Sequence, residues 1–86
     1  RRHAMTMATR LRSIFQTHGI AIAYDSPTNQ QFVILSPTLY DALSKKVAFE
    51  IWERKSDTEI ICRFVTSWAT KEEELDELDH ILQTLK

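Results

Sequence analysis

The sequence predicts an α+β domain, a two-layer sandwich in which a mainly antiparallel sheet carries helices on one face. Apolar residues recur every three or four positions at both ends of the chain, which is typical of amphipathic helices. Between these ends, short apolar or alternating segments are bounded by turn residues, which is typical of strands. The length of 86 residues, with 43% hydrophobic and 27% charged residues, fits a single small domain spanning 1–86.

The first half of the chain predicts a helix, two strands and a second helix. Gly19 is expected to end the first helix, because glycine readily adopts the left-handed conformation found there. Strands are predicted at 20–24 and 31–35, with a turn at 25–29 between them. Ser36 and Pro37 are typical of the N-cap and first residue of a helix. The buried stripe of the first helix comprises Ala4, Met7, Ala8, Leu11, Ile14, Phe15 and His18.

The second half predicts a hairpin followed by a third helix. Residues 47–54 alternate between apolar and polar positions, and 59–67 form the next strand after a turn at 55–57. Thr70 and Glu73 match a capping box that begins the last helix. The predicted element order is therefore α-β-β-α-β-β-α. The apolar stripe of the last helix comprises Leu75, Leu78, Ile81, Leu82 and Leu85.

Charge is distributed unevenly between the two terminal helices, and we expect them to lie side by side. The net charge of −1 gives no global attraction for nucleic acid, and no apolar run approaches the ~18 residues of a membrane span. The single cysteine, Cys62, excludes an intrachain disulfide and fits a reducing compartment. The first helix carries Arg1, Arg2, Arg10 and Arg12, and the last carries Glu72, Glu73, Glu74, Asp76, Glu77 and Asp79.

Arg63 is the residue that points most directly to a function. It lies within the apolar fourth strand, and a buried guanidinium needs a partner because its desolvation is costly. Arg63 therefore emerges at an edge, pairs with a carboxylate such as Glu50 or Glu59, or binds an anionic ligand. Its fork of donors suits a carboxylate or phosphate. Cys62 should point the opposite way, into the core.

Other kinds of site find little support in the sequence. The three histidines, His3, His18 and His80, are far apart, so no metal site is predicted. Trp52 has two equally weighted interpretations, a pocket or domain seam and ordinary half-buried surface. Trp68 lies between a strand and a helix cap, near Arg63 in sequence, which favours the edge of a pocket.

Four segments together resemble a known family: 2–8, 28–35, 47–53 and 63–73, the last reading Arg-Phe-Val-Thr-Ser-Trp-Ala-Thr-Lys-Glu-Glu. They resemble the C-terminal small domain of low-specificity threonine aldolases and related β-eliminating lyases. These are pyridoxal-phosphate (PLP) enzymes of the aspartate-aminotransferase-like fold. The resemblance covers nearly the whole chain, although no single segment is a diagnostic motif.

The resemblance implies that Arg63 binds the α-carboxylate of the substrate. It also implies that Asn29, which follows Thr28 at a turn facing the large domain, helps to shape one wall of the site with Trp68. Many threonine aldolases have a histidine after the Arg-x-Val-Thr run, where Ser67 and Trp68 follow here. This departure favours a lyase-like or broad-specificity branch.

The resemblance further implies a parent enzyme that is a cytoplasmic homo-oligomer and cleaves or eliminates at Cβ of a threonine-like or aromatic amino acid. PLP would be held by the large domain of the parent chain, which supplies the lysine for the Schiff base. No catalytic, cofactor-binding or metal-binding residue is predicted in the 86 residues, and the chain alone is expected to be inert. Its lysines, Lys45, Lys46, Lys55, Lys71 and Lys86, lie at predicted helix ends, turns or the terminus.

A different class of function stays open at this point. The chain is alternatively a free-standing α+β module that uses Arg63 to bind an anionic small molecule, or an interaction domain without a ligand. The sequence begins inside a helical pattern without a methionine, which is the expectation for a piece of a longer polypeptide. Such a piece should expose an apolar patch where the large domain docks, whereas a free-standing module should not.

Overall fold

The computed structural model describes residues 2–85, so Arg1 and Lys86, both named in the predictions above, lie outside the described residues. Within residues 2–85, three helices and four strands follow one another in the predicted order. They are α1 (Arg2–Thr17), β1 (Ile22–Tyr24), β2 (Gln30–Leu35), α2 (Pro37–Ser44), β3 (Glu50–Arg54), β4 (Ile60–Val65) and α3 (Glu72–Thr84).

The four strands of the described chain form one antiparallel sheet in the order β1-β2-β4-β3. β2 and β4 pair along their whole length, from Gln30 opposite Val65 to Leu35 opposite Ile60. β3 and β4 form the predicted hairpin, with a shift of register between Ile51 and Glu53. The side chains of the central strand β4 are mostly buried and those of the edge strand β3 are mostly exposed, which accounts for the more apolar sequence of β4.

One face of the sheet packs against all three helices and forms the core. From the sheet, Val33, Leu35, Cys62 and Phe64 are buried on this face. The domain is therefore the predicted two-layer α+β sandwich with helices on one face, and this prediction is confirmed. The helices contribute Met7, Leu11, Ile14, Phe15, Leu43, Leu75, Leu78, Ile81 and Leu82 to the same core.

The end of α1 shows why the first strand is shorter than predicted. Gly19 has a φ of 75°, the left-handed conformation that glycine adopts at little cost. The N–H of Gly19 donates to Gln16 O at 3.0 Å, and the N–H of Ile20 donates to Phe15 O at 2.9 Å. This pattern is a Schellman cap, in which the residue after the glycine packs back on the helix. Ile20 is buried in that role, and β1 begins at Ile22 instead.

The start of α3 differs by one residue from the prediction. The hydroxyl of Thr70 accepts from the N–H of Ser67 at 2.8 Å, so it is engaged in the preceding turn. Lys71 takes the N-cap position, and its N–H donates to the Glu74 carboxylate at 2.8 Å. The predicted capping pair of Thr70 and Glu73 is therefore wrong, although the helix begins where its acidic first turn indicates.

Other element boundaries are close to their predictions. Ser36 is the N-cap of α2 as expected, and its hydroxyl accepts from the N–H of Leu39 at 3.1 Å. The predicted strands 47–54 and 59–67 shorten to Glu50–Arg54 and Ile60–Val65. Leu85 lies just beyond α3 and is exposed, so its place in the apolar stripe of that helix was predicted wrongly.

α1 and α3 lie side by side, as their opposite charges predict. Arg10 forms an ion pair with Asp76, and its Nη1 donates to Glu72 O at 3.2 Å. His18 adds a contact that the sequence did not predict, with its Nε2 lying 2.6 Å from an oxygen of Asp79. Arg12 turns away from α3 and pairs with Asp25, at 2.7 Å.

Candidate functional site

The face of the sheet opposite the helices, called the outer face below, carries a row of aromatic rings. The Phe32 ring lies 5.5 Å from that of Tyr24 and 5.2 Å from that of Trp52, each time edge to face. Trp52 and Val65 are both more than half exposed. By strand alternation and register, the outer face comprises Tyr24, Gln30, Phe32, Ile34, Glu50, Trp52, Glu53, Ile61, Arg63 and Val65.

Arg63 lies at the centre of the outer face. It is paired in register with Phe32 of β2 on one side and Glu50 of β3 on the other. Its Nε donates to an oxygen of Glu50 at 3.0 Å, and its Nη2 donates to the same oxygen. Its Nη1 makes a long hydrogen bond of 3.4 Å to the amide oxygen of Gln30. The guanidinium carbon lies 5.3 Å from the centre of the Trp52 ring.

These contacts hold the guanidinium without using all of its donors. A guanidinium carries five N–H groups, and Glu50 and Gln30 accept from one N–H each of Nε, Nη1 and Nη2. Within residues 2–85, one N–H of Nη1 and one of Nη2 therefore keep no acceptor. The Arg63 side chain is 28% exposed. One N–H on each Nη nitrogen is thereby left for the two oxygens of a carboxylate.

A second polar contact on the outer face lies beside this group. The hydroxyl of Tyr24 donates to the Glu53 carboxylate at 3.2 Å. Partial desolvation of the phenol raises the pKa of Tyr24, and the hydrogen bond to Glu53 raises it further. Tyr24 therefore stays protonated at neutral pH and acts as a donor to Glu53.

Asn29 lies at the end of the turn before β2, next to Gln30. Its side-chain nitrogen donates to Thr66 O at 2.5 Å, and its own carbonyl accepts from the N–H of Thr66 at 3.0 Å. Thr66 is buried, and its hydroxyl also donates to Ala4 O at 2.8 Å. Asn29 thus ties the turn to the end of β4 and sits one residue from the Gln30 contact to Arg63.

Trp68 lies in the loop between β4 and α3 and is 81% exposed. It lines an open concavity together with His3 and the first residues of α3. The Nε2 of His3 lies 2.5 Å from Thr70 O and anchors this loop to α1. The aromatic ring that contacts Arg63 is therefore Trp52 and not Trp68. The structure places the Asn29 turn next to Gln30, which contacts Arg63, and leaves Trp68 on the loop after β4.

Comparison with known proteins identifies this architecture. A solved structure of threonine aldolase from Leishmania major matches the chain with a TM-score of 0.90 and 34% sequence identity. The chain has the fold of the threonine aldolase C-terminal domain. The match covers 96% of this chain and 24% of the threonine aldolase chain, so the 86 residues span about a quarter of that protein. No protein-family model and no curated protein matches the sequence.

The residues of this domain do not fit PLP, the cofactor that the threonine aldolase resemblance implies. An imine with PLP requires a lysine whose amine is desolvated or otherwise activated. The four lysines of the described chain, Lys45, Lys46, Lys55 and Lys71, are all exposed. The single glycine, Gly19, lies in the turn after α1 and belongs to no phosphate-binding loop.

Other chemistry within the threonine aldolase fold is also limited. Cys62 is fully buried on the core side, as predicted, and burial raises the pKa of its thiol to about 11. Among the residues that the structure describes, no group of three or more metal-ligating side chains comes together. None of the helices within residues 2–85 combines the length and the apolar character needed to cross a bilayer.

Two contacts of Arg63 escaped the sequence analysis. Trp52 was weighed as a pocket or surface residue without a link to Arg63, and Gln30 was not singled out at all. Glu50 was named as one possible carboxylate partner. Residues 47–54 alternate between two faces, which places Glu50 and Trp52 on the same face. The register of the β3–β4 hairpin then brings that face beside Arg63. The contact with Gln30 depends on the pairing of β2 with β4, for which the sequence carries no local signal.

Proposed function

We propose that this chain is the C-terminal domain of a PLP-dependent aldolase or lyase that cleaves or eliminates at Cβ of a threonine-like or aromatic amino acid. In this proposal the domain covers the cofactor site, and Arg63 binds the α-carboxylate of the substrate. The observation that carries the proposal is an Arg63 guanidinium with unbonded N–H donors on Nη1 and Nη2, on the outer face of a domain with the threonine aldolase fold.

Carboxylate binding at this position has a clear physical consequence. Two parallel N–H···O bonds hold a carboxylate in one plane and in one direction. The rest of the amino acid is then restricted in orientation. The bond to be broken, either Cα–Cβ or the bond from Cβ to a leaving group, therefore has a fixed direction relative to the cofactor. Trp52 beside the guanidinium adds a cation–π contact that helps to hold it in place.

The proposal assigns supporting roles to Asn29 and Trp68. Asn29 holds the turn that leads into Gln30, and the exposed ring of Trp68 is placed to contact a neighbouring domain or the substrate. The large domain of the parent chain would supply the lysine for PLP and cover the aromatic outer face. The parent enzyme would be a cytoplasmic homo-oligomer, and the 86 residues alone would be inactive.

The experiment uses the full-length enzyme that contains this domain. We expect Arg63→Ala to weaken substrate binding by roughly 2–5 kcal/mol, which corresponds to a rise in KM of about thirtyfold or more. The amino acid is compared with its carboxamide, which lacks the carboxylate charge. The preference for the acid over the amide should collapse in Arg63→Ala, and Arg63→Lys should restore only part of it.

Arg12→Ala is the matched control. Arg12 is also an ion-paired arginine of similar exposure, 32% for its side chain, but it lies on α1 and pairs with Asp25. It should leave KM and the acid-to-amide ratio as in the wild type. A normal KM in Arg63→Ala, with PLP still bound, would refute the assigned role. A cellular product without PLP would instead favour the free-standing anion-binding module.

A further inference from the structure

Three of the five N–H donors of Arg63 are bonded to side chains within residues 2–85, and two are not. One oxygen of Glu50 accepts from both Nε and Nη2, and so occupies the edge of the guanidinium nearest the strand. Gln30 accepts from Nη1 across the neighbouring strand. Glu50 thus leaves the second N–H of Nη2 without an acceptor among residues 2–85.

Three side chains from two strands confine the guanidinium before any ligand arrives. Glu50 approaches from β3, Gln30 from β2, and the Trp52 ring lies 5.3 Å from the guanidinium carbon. A free arginine side chain loses rotamer entropy when it is fixed. Since these contacts already restrict Arg63, less of that loss has to accompany ligand binding.

We infer that Glu50 is a positioning residue that orients Arg63 toward the substrate carboxylate. Glu50 acts by holding the Nε edge, which turns the Nη1 and Nη2 donors outward, and it does not touch the substrate itself. This inference rests on the proposed function, because it takes Arg63 as the carboxylate ligand.

Glu50 has little effect on stability in this arrangement, which makes the inference testable. Its side chain is 62% exposed, and ion pairs at such positions contribute little to folding. A change at Glu50 should therefore leave the domain folded and the cofactor bound. Any effect on substrate binding would then come from the orientation of Arg63.

The test compares variants of the full-length enzyme. We expect Glu50→Ala to raise KM for the amino acid roughly tenfold, because Arg63 is then mobile and its rotamer freedom has to be lost on substrate binding, with kcat changed by less than about twofold. Glu50→Gln keeps an acceptor oxygen of the same reach, so it should recover most of the wild-type KM. KM for the carboxamide should change little in either variant.

Glu53→Ala is the matched control, because Glu53 lies on the same strand and face but accepts from Tyr24 rather than from Arg63. It changes the net charge equally and should leave KM unchanged. The double variant Arg63→Ala/Glu50→Ala should have the KM of Arg63→Ala alone, since Glu50 acts only through Arg63.

Each outcome supports or overturns one claim. If Arg63→Ala raises KM and Glu50→Ala leaves it unchanged, the positioning role is wrong and the proposed function stands. If Glu50→Ala lowers KM, Glu50 competes with the substrate and the inference is again wrong. If Arg63→Ala itself has a normal KM, the proposed function fails, and the inference about Glu50 fails with it.

Discussion

Replacing Phe64 should test the packing on which the position of Arg63 depends. Phe64 follows Arg63 in β4 and points into the core, where it is almost fully buried. Its ring lies 4.8 Å from that of Phe15, edge to face, and 4.5 Å from that of Phe49, nearly parallel. The three rings join α1, β4 and the segment before β3, so Phe64 connects both layers of the sandwich.

The expected magnitudes follow from these contacts. Phe64→Leu keeps most of the apolar volume but loses two aromatic pairs of about 0.5–1.5 kcal/mol each, so we expect a loss of roughly 1–3 kcal/mol. Phe64→Ala also opens a cavity and should cost about 3–5 kcal/mol. A domain of 86 residues has a free energy of unfolding of roughly 4–13 kcal/mol. Phe64→Ala should therefore remove a large share of the stability.

Urea unfolding followed by far-ultraviolet circular dichroism measures both variants. Val65→Ala is the control, because Val65 is the next residue but lies on the outer face and is 53% exposed. That variant should change the free energy of unfolding by less than about 0.5 kcal/mol. If Phe64→Leu were no less stable than Val65→Ala, the rings of Phe15, Phe49 and Phe64 would not stabilise the core by packing on one another.

Two further predictions concern the thiol and the start of α3. Cys62 should resist iodoacetamide in the native protein at pH 8, because burial raises its pKa to about 11 and lowers its thiolate fraction roughly a hundredfold below that of a free cysteine. Reaction in the native protein at the rate seen in urea would contradict the burial of Cys62. Glu74→Ala should destabilise the chain by roughly 0.5–2 kcal/mol, because Glu74 accepts from the N-cap N–H, and Glu73→Ala should cost less. Thermal unfolding of the two variants compares them directly, and a larger loss for Glu73→Ala would restore the capping pair predicted from sequence.

Much of the fold was accessible to sequence reasoning because its signals are local. The helical stripes of α1 and α3 recur at the period of a helix, and every predicted stripe residue of α1 is largely buried. Gly19 adopts the left-handed conformation just after α1, as glycine prefers. Ser36 is the N-cap of α2, as serine prefers. The errors arose at boundaries, where two local choices compete. Thr70 suits an N-cap, but the turn at Ser67 takes its hydroxyl, so the cap moves by one residue.

The candidate site was accessible only in part. A charged residue in an apolar strand needs a partner, which indicates Arg63, whereas Asn29 follows from the resemblance to threonine aldolases and Trp68 from its closeness to Arg63 in the sequence. The aromatic neighbour of Arg63 is Trp52, whereas Trp68 lies on the loop after β4. Trp68 is closer than Trp52 to Arg63 along the chain. The pairing of β3 with β4 nevertheless brings the Trp52 ring beside the guanidinium.

The sequence by itself determined the order of the elements and the side of each that is buried, because periodicity is a property of neighbouring residues. It also determined that Arg63 needs a partner. The tertiary structure alone decided which groups surround that guanidinium, since Glu50 and Gln30 lie 13 and 33 residues away along the chain. Their approach depends on the register of β4 with β3 and β2, which arises when the whole sheet closes over one core.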